Sequence, residues 1–123
     1  MLYNDKREEK TTFLIDAAYR TGGTTFSYNN LYIITSGETA SASEAVINGL
    51  KPYMQGKLFQ VGTATFGKNL GQELFNSEEA PQLNFWLTTF YLANSEGFYD
   101  YFDNGLPADY TIEEDFSGEL GEL

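Results

Sequence analysis

Residues 31–72 read LYIITSGETASASEAVINGLKPYMQGKLFQVGTATFGKNLGQ, and this stretch decides the fold of the chain. The apolar run at its start predicts a buried strand over residues 31–36, and apolar residues at helical spacing predict a helix from Ser41 to about Lys51. A second strand is predicted over residues 57–62. The stretch therefore predicts a strand-helix-strand unit, which is typical of an α/β fold.

The predicted helix carries apolar residues on one side. They recur at helical spacing, so we expect this side to pack against the two strands; the residues are Ala42, Val46, Gly49, Leu50 and Tyr53. Pro52 lies near the predicted end of the helix. Because proline in a helix interior costs about 3 kcal/mol, we expect it to end the helix there.

One further strand is predicted in the rest of the chain, between ends that are less structured. Residues 82–93 read QLNFWLTTFYLA and predict an aromatic strand with large apolar residues on both faces. Such a strand is either covered on both sides or paired in a long hairpin. We interpret residues 31–112 as the core, residues 1–30 as a poorly anchored N-terminal arm and loop, and residues 113–123 as an acidic tail.

Composition restricts the possible functions. The 123 residues carry a net charge of −11, which argues against nucleic acid and anionic membrane as partners, because phosphate binding needs a basic surface. No apolar run approaches the roughly 20 residues that span a bilayer. The chain contains no cysteine and no histidine, so a thiolate metal site and a Ser-His-Asp triad are excluded within it.

The run Ser41-Ala42-Ser43-Glu44 allows a structural and a functional interpretation. It matches the S-x-x-E capping box, in which the serine caps the helix and the glutamate reaches back to the serine amide. A serine at a helix N-terminus also has backbone N–H groups nearby that can stabilise a developing anion. The two interpretations do not exclude each other, so Ser41 is a candidate nucleophile.

Lys68 lies in a tight turn predicted over residues 66–69, after the second strand. A loop lysine is most often solvated, and it must be neutral to act as a general base, which requires a desolvated pocket. Phe66 and Leu70 are the neighbours that could form such a pocket. The segment from Lys68 to Gln72 can be extended, or its glycines can turn it so that the Gln72 amide approaches the lysine.

A phosphate-binding P-loop is a competing interpretation of the same turn. Residues 62–68 fit the first seven positions of that motif, and they follow a predicted strand as the motif requires. Asn69, however, stands where the motif needs Ser or Thr, and no helix is predicted after it. Nucleotide binding is therefore disfavoured.

Three segments together resemble one enzyme family. The runs Thr39-Ala40-Ser41-Ala42-Ser43-Glu44 and Thr65-Phe66-Gly67-Lys68, followed by Gln72, are similar to motifs of the carboxyl-terminal processing peptidases, or tail-specific proteases. These enzymes are serine endopeptidases with a Ser/Lys dyad. Residues 105–109, GLPAD, also look like this family's G-I-x-P-D segment, with proline and aspartate one residue out of step. The resemblance spans roughly residues 31–112.

The resemblance implies a fold, a site and a reaction. The fold is the ClpP/crotonase-like core of the family's catalytic domain, with Ser41 as nucleophile, Lys68 as general base and Gln72 orienting the lysine. The Ala42 N–H would supply one oxyanion-hole donor. The family cleaves polypeptides near their C-terminus in the periplasm or cell envelope of bacteria, and no cofactor or metal is implied.

Two departures from the family's pattern bear on activity. The family has an upstream D-L-R-x-N-x-G-G segment whose glycine amide helps to form the oxyanion hole, and often a peptide-binding PDZ domain. Residues 16–23, DAAYRTGG, imitate the former but lie too close to Ser41, so we interpret them as a loop. We therefore expect a partial catalytic domain, weakly active or inactive by itself, whose exposed apolar surface favours self-association. The alternative is a non-catalytic peptide-binding or assembly domain of the same fold.

Overall fold

The computed structural model describes residues 2–3, 28–113 and 117. These residues form two three-stranded sheets and one α-helix. The strands are β1 (Leu2–Tyr3), β2 (Leu31–Thr35), β3 (Leu58–Gly62), β4 (Leu70–Asn76), β5 (Asn84–Tyr91) and β6 (Tyr110–Thr111). The helix α1 spans Ala42–Leu50 and continues into a 3₁₀ turn at Lys51–Tyr53.

The predicted strand-helix-strand unit is confirmed, since β2, α1 and β3 each begin and end within one residue of the predicted bounds. β2 and β3 pair in parallel, with Thr35 opposite Gly62 at the end of both strands, and β6 pairs in parallel with the other edge of β3. Gly62 has a φ of 123°, and a Cβ there would lie 2.1 Å from the Thr35 carbonyl oxygen, so only glycine fits. Because parallel strands end at one edge of their sheet, the loops leading to Ser41 and to Lys68 start side by side.

The buried side of α1 differs from the prediction. Val46 is 58% exposed and Tyr53 is 71% exposed, so most of the expected apolar side faces outward. The buried helix residues are Glu44, Ile47 and Asn48. Ile47 belongs to the core, while the two polar side chains bind backbone groups of neighbouring loops. The apolar spacing located the helix correctly but assigned the wrong side to the interior.

A small core joins α1 to β3 and to the segment that precedes β6. Its buried members are Ile47, Met54, Leu58, Tyr101 and Leu106, and the partly buried Leu31, Ile33 and Leu50 pack against them. Pro52 lies in the 3₁₀ turn that follows α1, which confirms that the helix ends there. The core therefore anchors the base of the helix and leaves its N-terminus at the edge of the parallel sheet.

β4 and β5 form a long antiparallel hairpin, which confirms the predicted aromatic strand. Of the two predicted arrangements for that strand, the structure shows the hairpin; both its strands carry exposed apolar side chains, namely Leu74, Phe75, Phe85, Trp86 and Leu87. β1 pairs with β5 on the side away from β4. Residues 1 and 4–27 of the predicted N-terminal arm, which include the DAAYRTGG loop, and most of the acidic tail lie outside the described residues, so the division of the chain stays a prediction. No helix in the described ranges has the length and hydropathy of a membrane span.

Candidate active site

The loops that follow β2 and β3 meet at a cleft of about 360 Å³, a volume within the range of ligand pockets. All four residues predicted for the site line this cleft, together with apolar residues from the start of β4 and the end of β5. The lining residues are Ser41, Ala42, Ala45, Lys68, Leu70, Gly71, Gln72, Phe90 and Leu92. The structure thus brings the predicted site residues together in one place.

Ser41 has a backbone conformation that is rare for a residue with a side chain. Its φ is 56° and its ψ is −110°, and such conformations cost about 1–3 kcal/mol and persist only where surrounding contacts fix them. A serine on a strained turn between a strand and a helix is also how α/β-hydrolases expose their nucleophile. The conformation therefore favours a functional role for Ser41 in addition to a capping role.

Glu44 is fully buried and accepts hydrogen bonds from four donors. Its Oε2 accepts the Ser41 N–H at 2.8 Å, as the capping box predicts, and it also accepts the Lys68 N–H at 2.8 Å. Its Oε1 accepts the Thr65 hydroxyl and the Gly67 N–H, each at 2.6 Å. A buried carboxylate needs such donors because burial removes its hydration.

This carboxylate sets the separation of the two candidate catalytic residues. Because one oxygen accepts both amides, the backbone nitrogens of Ser41 and Lys68 lie no farther apart than twice 2.8 Å. Glu44 thereby holds the helix start and the Lys68 turn against each other. A change at Glu44 would move both candidate catalytic residues at once.

The turn that carries Lys68 is also held from another side, by residues 101–105. Gly67 has a φ of 94°, and a Cβ on it would lie 2.8 Å from three backbone atoms of that segment. The Asp103 N–H donates to the Gly67 carbonyl at 3.1 Å. Position 67 therefore requires glycine for its φ and for the close approach of another backbone.

The GLPAD segment, residues 105–109, binds to the central strand of the parallel sheet. The Asp109 carboxylate accepts the Gln60 N–H at 2.8 Å, and the Asp109 N–H donates to the Gln60 carbonyl at 2.9 Å. The Leu106 N–H donates to the Thr65 hydroxyl at 2.7 Å. These bonds connect the segment to β3 and to the Lys68 turn, so its role in the structure is to support the site from behind.

Comparison with known proteins identifies the family. The model of peptidase family S41 matches residues 2–112. The chain belongs to peptidase family S41. A comparison with curated protein sequences finds no match.

The solved structures that resemble this S41 chain include two proteases. A candidate S41 protease from Bacteroides fragilis is 30% identical, with a TM-score of 0.57 over 70% of this chain and 21% of that one. The photosystem II D1 C-terminal processing protease is 26% identical, with a TM-score of 0.55 over 68% of this chain and 20% of that one. The chain therefore spans about a fifth of the length of each structure. The predicted family and the predicted α/β fold are confirmed.

Tyr101 of this S41 chain is buried close to the site. It is 1% exposed, and its hydroxyl has no hydrogen-bond partner within the described residues. Burial, and to a smaller degree the charge of Glu44, raise the pKa of Tyr101 to about 12. The pKa shift follows mainly from burial, and Tyr101 is also one of the buried members of the core.

Lys68 and Gln72 are both exposed at the cleft. Leu70 lines the cleft with them, as predicted, but Phe66 is 58% exposed and lies outside it, so the expected cover by Phe66 is wrong. Phe90 supplies aromatic lining instead. It reaches the cleft because β4 follows Lys68 as an extended strand and pairs with β5, which brings the end of β5 alongside the site.

Residues 28–113 show neither a metal cluster nor a phosphate-binding loop. No group of three or more acidic side chains among the described residues could hold a metal ion. A strand, β4, follows Lys68 where a P-loop needs a helix. This removes the remaining support for nucleotide binding at residues 62–68.

Sequence reasoning limited Glu44 to helix capping and missed its contacts with Thr65, Gly67 and Lys68. A signal for them was present. Glu44 lies three positions before Ile47 and therefore shares its side of the helix. A carboxylate on the same side as a core isoleucine must find donors inside the protein.

Proposed function

We propose that this chain contributes the nucleophile and the general base of a serine endopeptidase that cleaves polypeptides near their C-terminus. The observation that carries this proposal is the binding of the Ser41 and Lys68 amides to one oxygen of Glu44, at a cleft that both residues line. Membership of peptidase family S41 supports the reaction class. The similarity to the photosystem II D1 C-terminal processing protease supports the position of cleavage.

In the proposed reaction the Ser41 hydroxyl attacks the scissile carbonyl carbon while neutral Lys68 takes its proton. The oxyanion of the tetrahedral intermediate accepts a hydrogen bond from the Ala42 N–H, which starts α1 and has no partner within the helix. Lys68 then gives the proton to the departing amine as the C–N bond breaks, which leaves an acyl ester on Ser41. Water, deprotonated by Lys68, hydrolyses this ester and restores the serine.

Lys68 requires cover before it can act as a base, because a lysine serves in that role when it is withdrawn from water. It is exposed at the cleft, so we propose that bound substrate and other parts of the complete protein cover it while Gln72 orients its amine. The chain spans about a fifth of each matched structure. We therefore expect the complete protein to supply this cover and a second oxyanion donor.

A non-catalytic peptide-binding or assembly domain is the second candidate. The exposure of Lys68 favours it, because a solvated lysine is a poor general base. The exposed apolar side chains of the hairpin also favour a role in assembly. In this alternative the Ser41–Lys68 pair is idle and Ser41 acts only at the helix N-terminus.

The partners and location follow from the family and stay proposals. We propose the C-terminal region of a polypeptide as substrate, and a bacterial periplasm or cell envelope as location; the Bacteroides fragilis relative is bacterial. We also propose that the isolated chain self-associates through the exposed apolar side chains of the β4–β5 hairpin.

A fluorophosphonate probe tests the proposal in the complete natural protein, with labelling followed by mass spectrometry. We expect labelling at Ser41, its loss in Ser41→Ala, and its strong reduction in Lys68→Ala. Ser43→Ala is the matched control, since Ser43 is an exposed serine of the same helix turn, and it should leave labelling unchanged. Gln72→Ala should slow labelling less than Lys68→Ala does. Labelling that persists in Ser41→Ala, or no labelling of the wild type, favours the non-catalytic alternative.

A further inference from the structure

The ladder between β4 and β5 changes register within the candidate active site. Gly71 lies opposite Phe90, but the next pair is Gln72 opposite Thr88, so Thr89 is the extra residue of a bulge. Thr89 and Phe90 are the two partly buried residues of β5, whose other residues are exposed. Bulges re-aim side chains and are frequent beside active sites. This bulge re-aims Phe90, a residue that lines the cleft.

A glycine lies opposite the re-aimed ring. A Cβ at Gly71 would lie 2.0 to 2.6 Å from three atoms of the Phe90 ring, so any side chain at position 71 would displace that ring. The φ of Gly71 is outside the left-handed region, so the backbone itself does not require glycine here. The ring does. The bulge and the glycine are thus two separate features that together place the Phe90 ring at the cleft.

The Phe90 ring borders the space in which a substrate side chain would lie. Ser41 lines the same cleft, and to attack a peptide bond it must be in contact with the carbonyl of the residue before that bond. On the proposed function, we place the side chain of this residue within the cleft. Apart from Ser41, Lys68 and Gln72, the lining residues are apolar or glycine, and they include Ala42, Ala45, Leu70 and Leu92.

We propose that Phe90 determines the size of the substrate side chain that precedes the scissile bond. This inference rests on the proposed peptidase function. The ring gives a small aliphatic side chain an apolar surface to pack against, and it occupies space that a larger side chain needs. Phe90 is therefore a specificity-determining residue, which the Phe90–Gly71 contact and the bulge keep in position.

The test uses the complete natural protein and two peptides that differ only in the residue before the cleaved bond, alanine in one and phenylalanine in the other. In Phe90→Ala we expect the ratio of kcat/KM for the phenylalanine peptide to that for the alanine peptide to rise about tenfold or more, because one methylene of misfit in an apolar pocket changes rates about 10–200-fold. Phe90→Leu should give a smaller rise. Phe85→Ala is the matched control, since Phe85 is on the same strand, 47% exposed and outside the cleft, and it should leave the ratio unchanged.

The outcomes separate this inference from the function on which it rests. Circular dichroism establishes that each variant is folded, and Phe90→Leu provides a test if Phe90→Ala is not. An unchanged ratio in the folded Phe90 variants, or an equal rise in Phe85→Ala, overturns the size-determining role while Ser41-dependent cleavage stands. Cleavage that persists in Ser41→Ala, or no cleavage of either peptide by the wild type, overturns the proposed peptidase function and this inference with it.

Discussion

The region around α1 and the β4–β5 hairpin differ in the side chains that they bury and expose. The first buries polar side chains, and the second exposes apolar ones. Around α1 the interior contains many polar side chains beside the apolar core, and five of them are at most 5% exposed; they are Glu44, Asn48, Gln60, Thr65 and Asn69. The hairpin instead exposes large apolar side chains, with Trp86 63% and Leu87 49% exposed. The comparison teaches that the site region satisfies most of its hydrogen bonds within the described chain. The hairpin leaves a surface of large apolar side chains exposed within the described residues.

Removal of the Glu44 carboxylate should destabilise the site region more than the other substitutions do. Four donors lose their acceptor, and each unpaired buried donor costs about 1–3 kcal/mol. We expect Glu44→Ala to lower the free energy of unfolding by at least about 3–5 kcal/mol, and Glu44→Gln by less, because its amide keeps one acceptor oxygen. Urea denaturation followed by circular dichroism measures this. Glu38→Ala removes an exposed carboxylate nearby and should have little effect; an equal loss in both alanine variants would contradict the role given to Glu44.

Loss of one hydroxyl in the same network should have a smaller effect. The Thr65 hydroxyl donates to Glu44 and accepts from the Leu106 N–H, so it connects the helix to the GLPAD segment. We expect Thr65→Val to lower the free energy of unfolding by about 1–3 kcal/mol. Thr63→Val is the matched control and should stay within about 0.5 kcal/mol of the wild type. If the two valine variants unfold at the same urea concentration, the network does not stabilise this region.

A substitution in the hairpin tests whether its exposed apolar side chains cause association. Trp86→Ser removes the largest exposed apolar side chain of β5, so self-association of the chain should weaken. The free energy of unfolding should change by no more than about 0.5 kcal/mol, because the side chain is already exposed. Sedimentation velocity at several protein concentrations measures association. A wild-type chain that sediments as a monomer at all of them would contradict the proposed self-association through the hairpin.

The last of these predictions concerns the pH dependence of stability. The pKa of Tyr101 is raised from 10.0 to about 12 by burial and by Glu44. Above pH 10 the unfolded chain loses this proton while the folded chain keeps it, so stability that is present below pH 10 is lost as the pH approaches 12. In Tyr101→Phe the free energy of unfolding should therefore fall less between pH 10 and 12. Tyr53→Phe, at a position that is 71% exposed, is the control. A fall in Tyr101→Phe as steep as in the wild type would show that Tyr101 does not ionise on unfolding.

The secondary structure of the core was predictable because its signals are local. Apolar runs, helical spacing and Pro52 located β2, α1 and β3, and the aromatic run located β5. The side of α1 that is buried was not predictable from hydrophobicity. Val46 is exposed and Glu44 is buried, because hydrogen bonds from a distant turn decide which side faces inward. A pattern of apolar residues carries no information on such donors.

The candidate site was predictable in part for the same reason. The motifs of the resembled family assigned Ser41, Ala42, Lys68 and Gln72, and the structure places all four at one cleft. The contacts of Glu44 and the position of Phe90 were missed. Both depend on how segments far apart in sequence come together: the first on the approach of two loops, and the second on a bulge in the β4–β5 register. The spacing of Glu44 and Ile47 indicates at most that the carboxylate shares the side of Ile47; its partners and the bulge cannot be read from one segment.

The kinetics of Lys68→Arg test the central claim most directly. Arginine keeps the positive charge and can donate hydrogen bonds, but it cannot lose its proton to act as a base. In the complete protein we expect this variant to lose turnover of a peptide substrate by about 10³-fold or more, and Ser41→Ala should lose as much. The double variant Ser41→Ala/Lys68→Ala should be scarcely worse than either single alanine variant, because the two residues act as a unit. If Lys68→Arg cleaves the peptide at close to the wild-type rate, Lys68 is not the general base and the mechanism proposed for Ser41 is wrong.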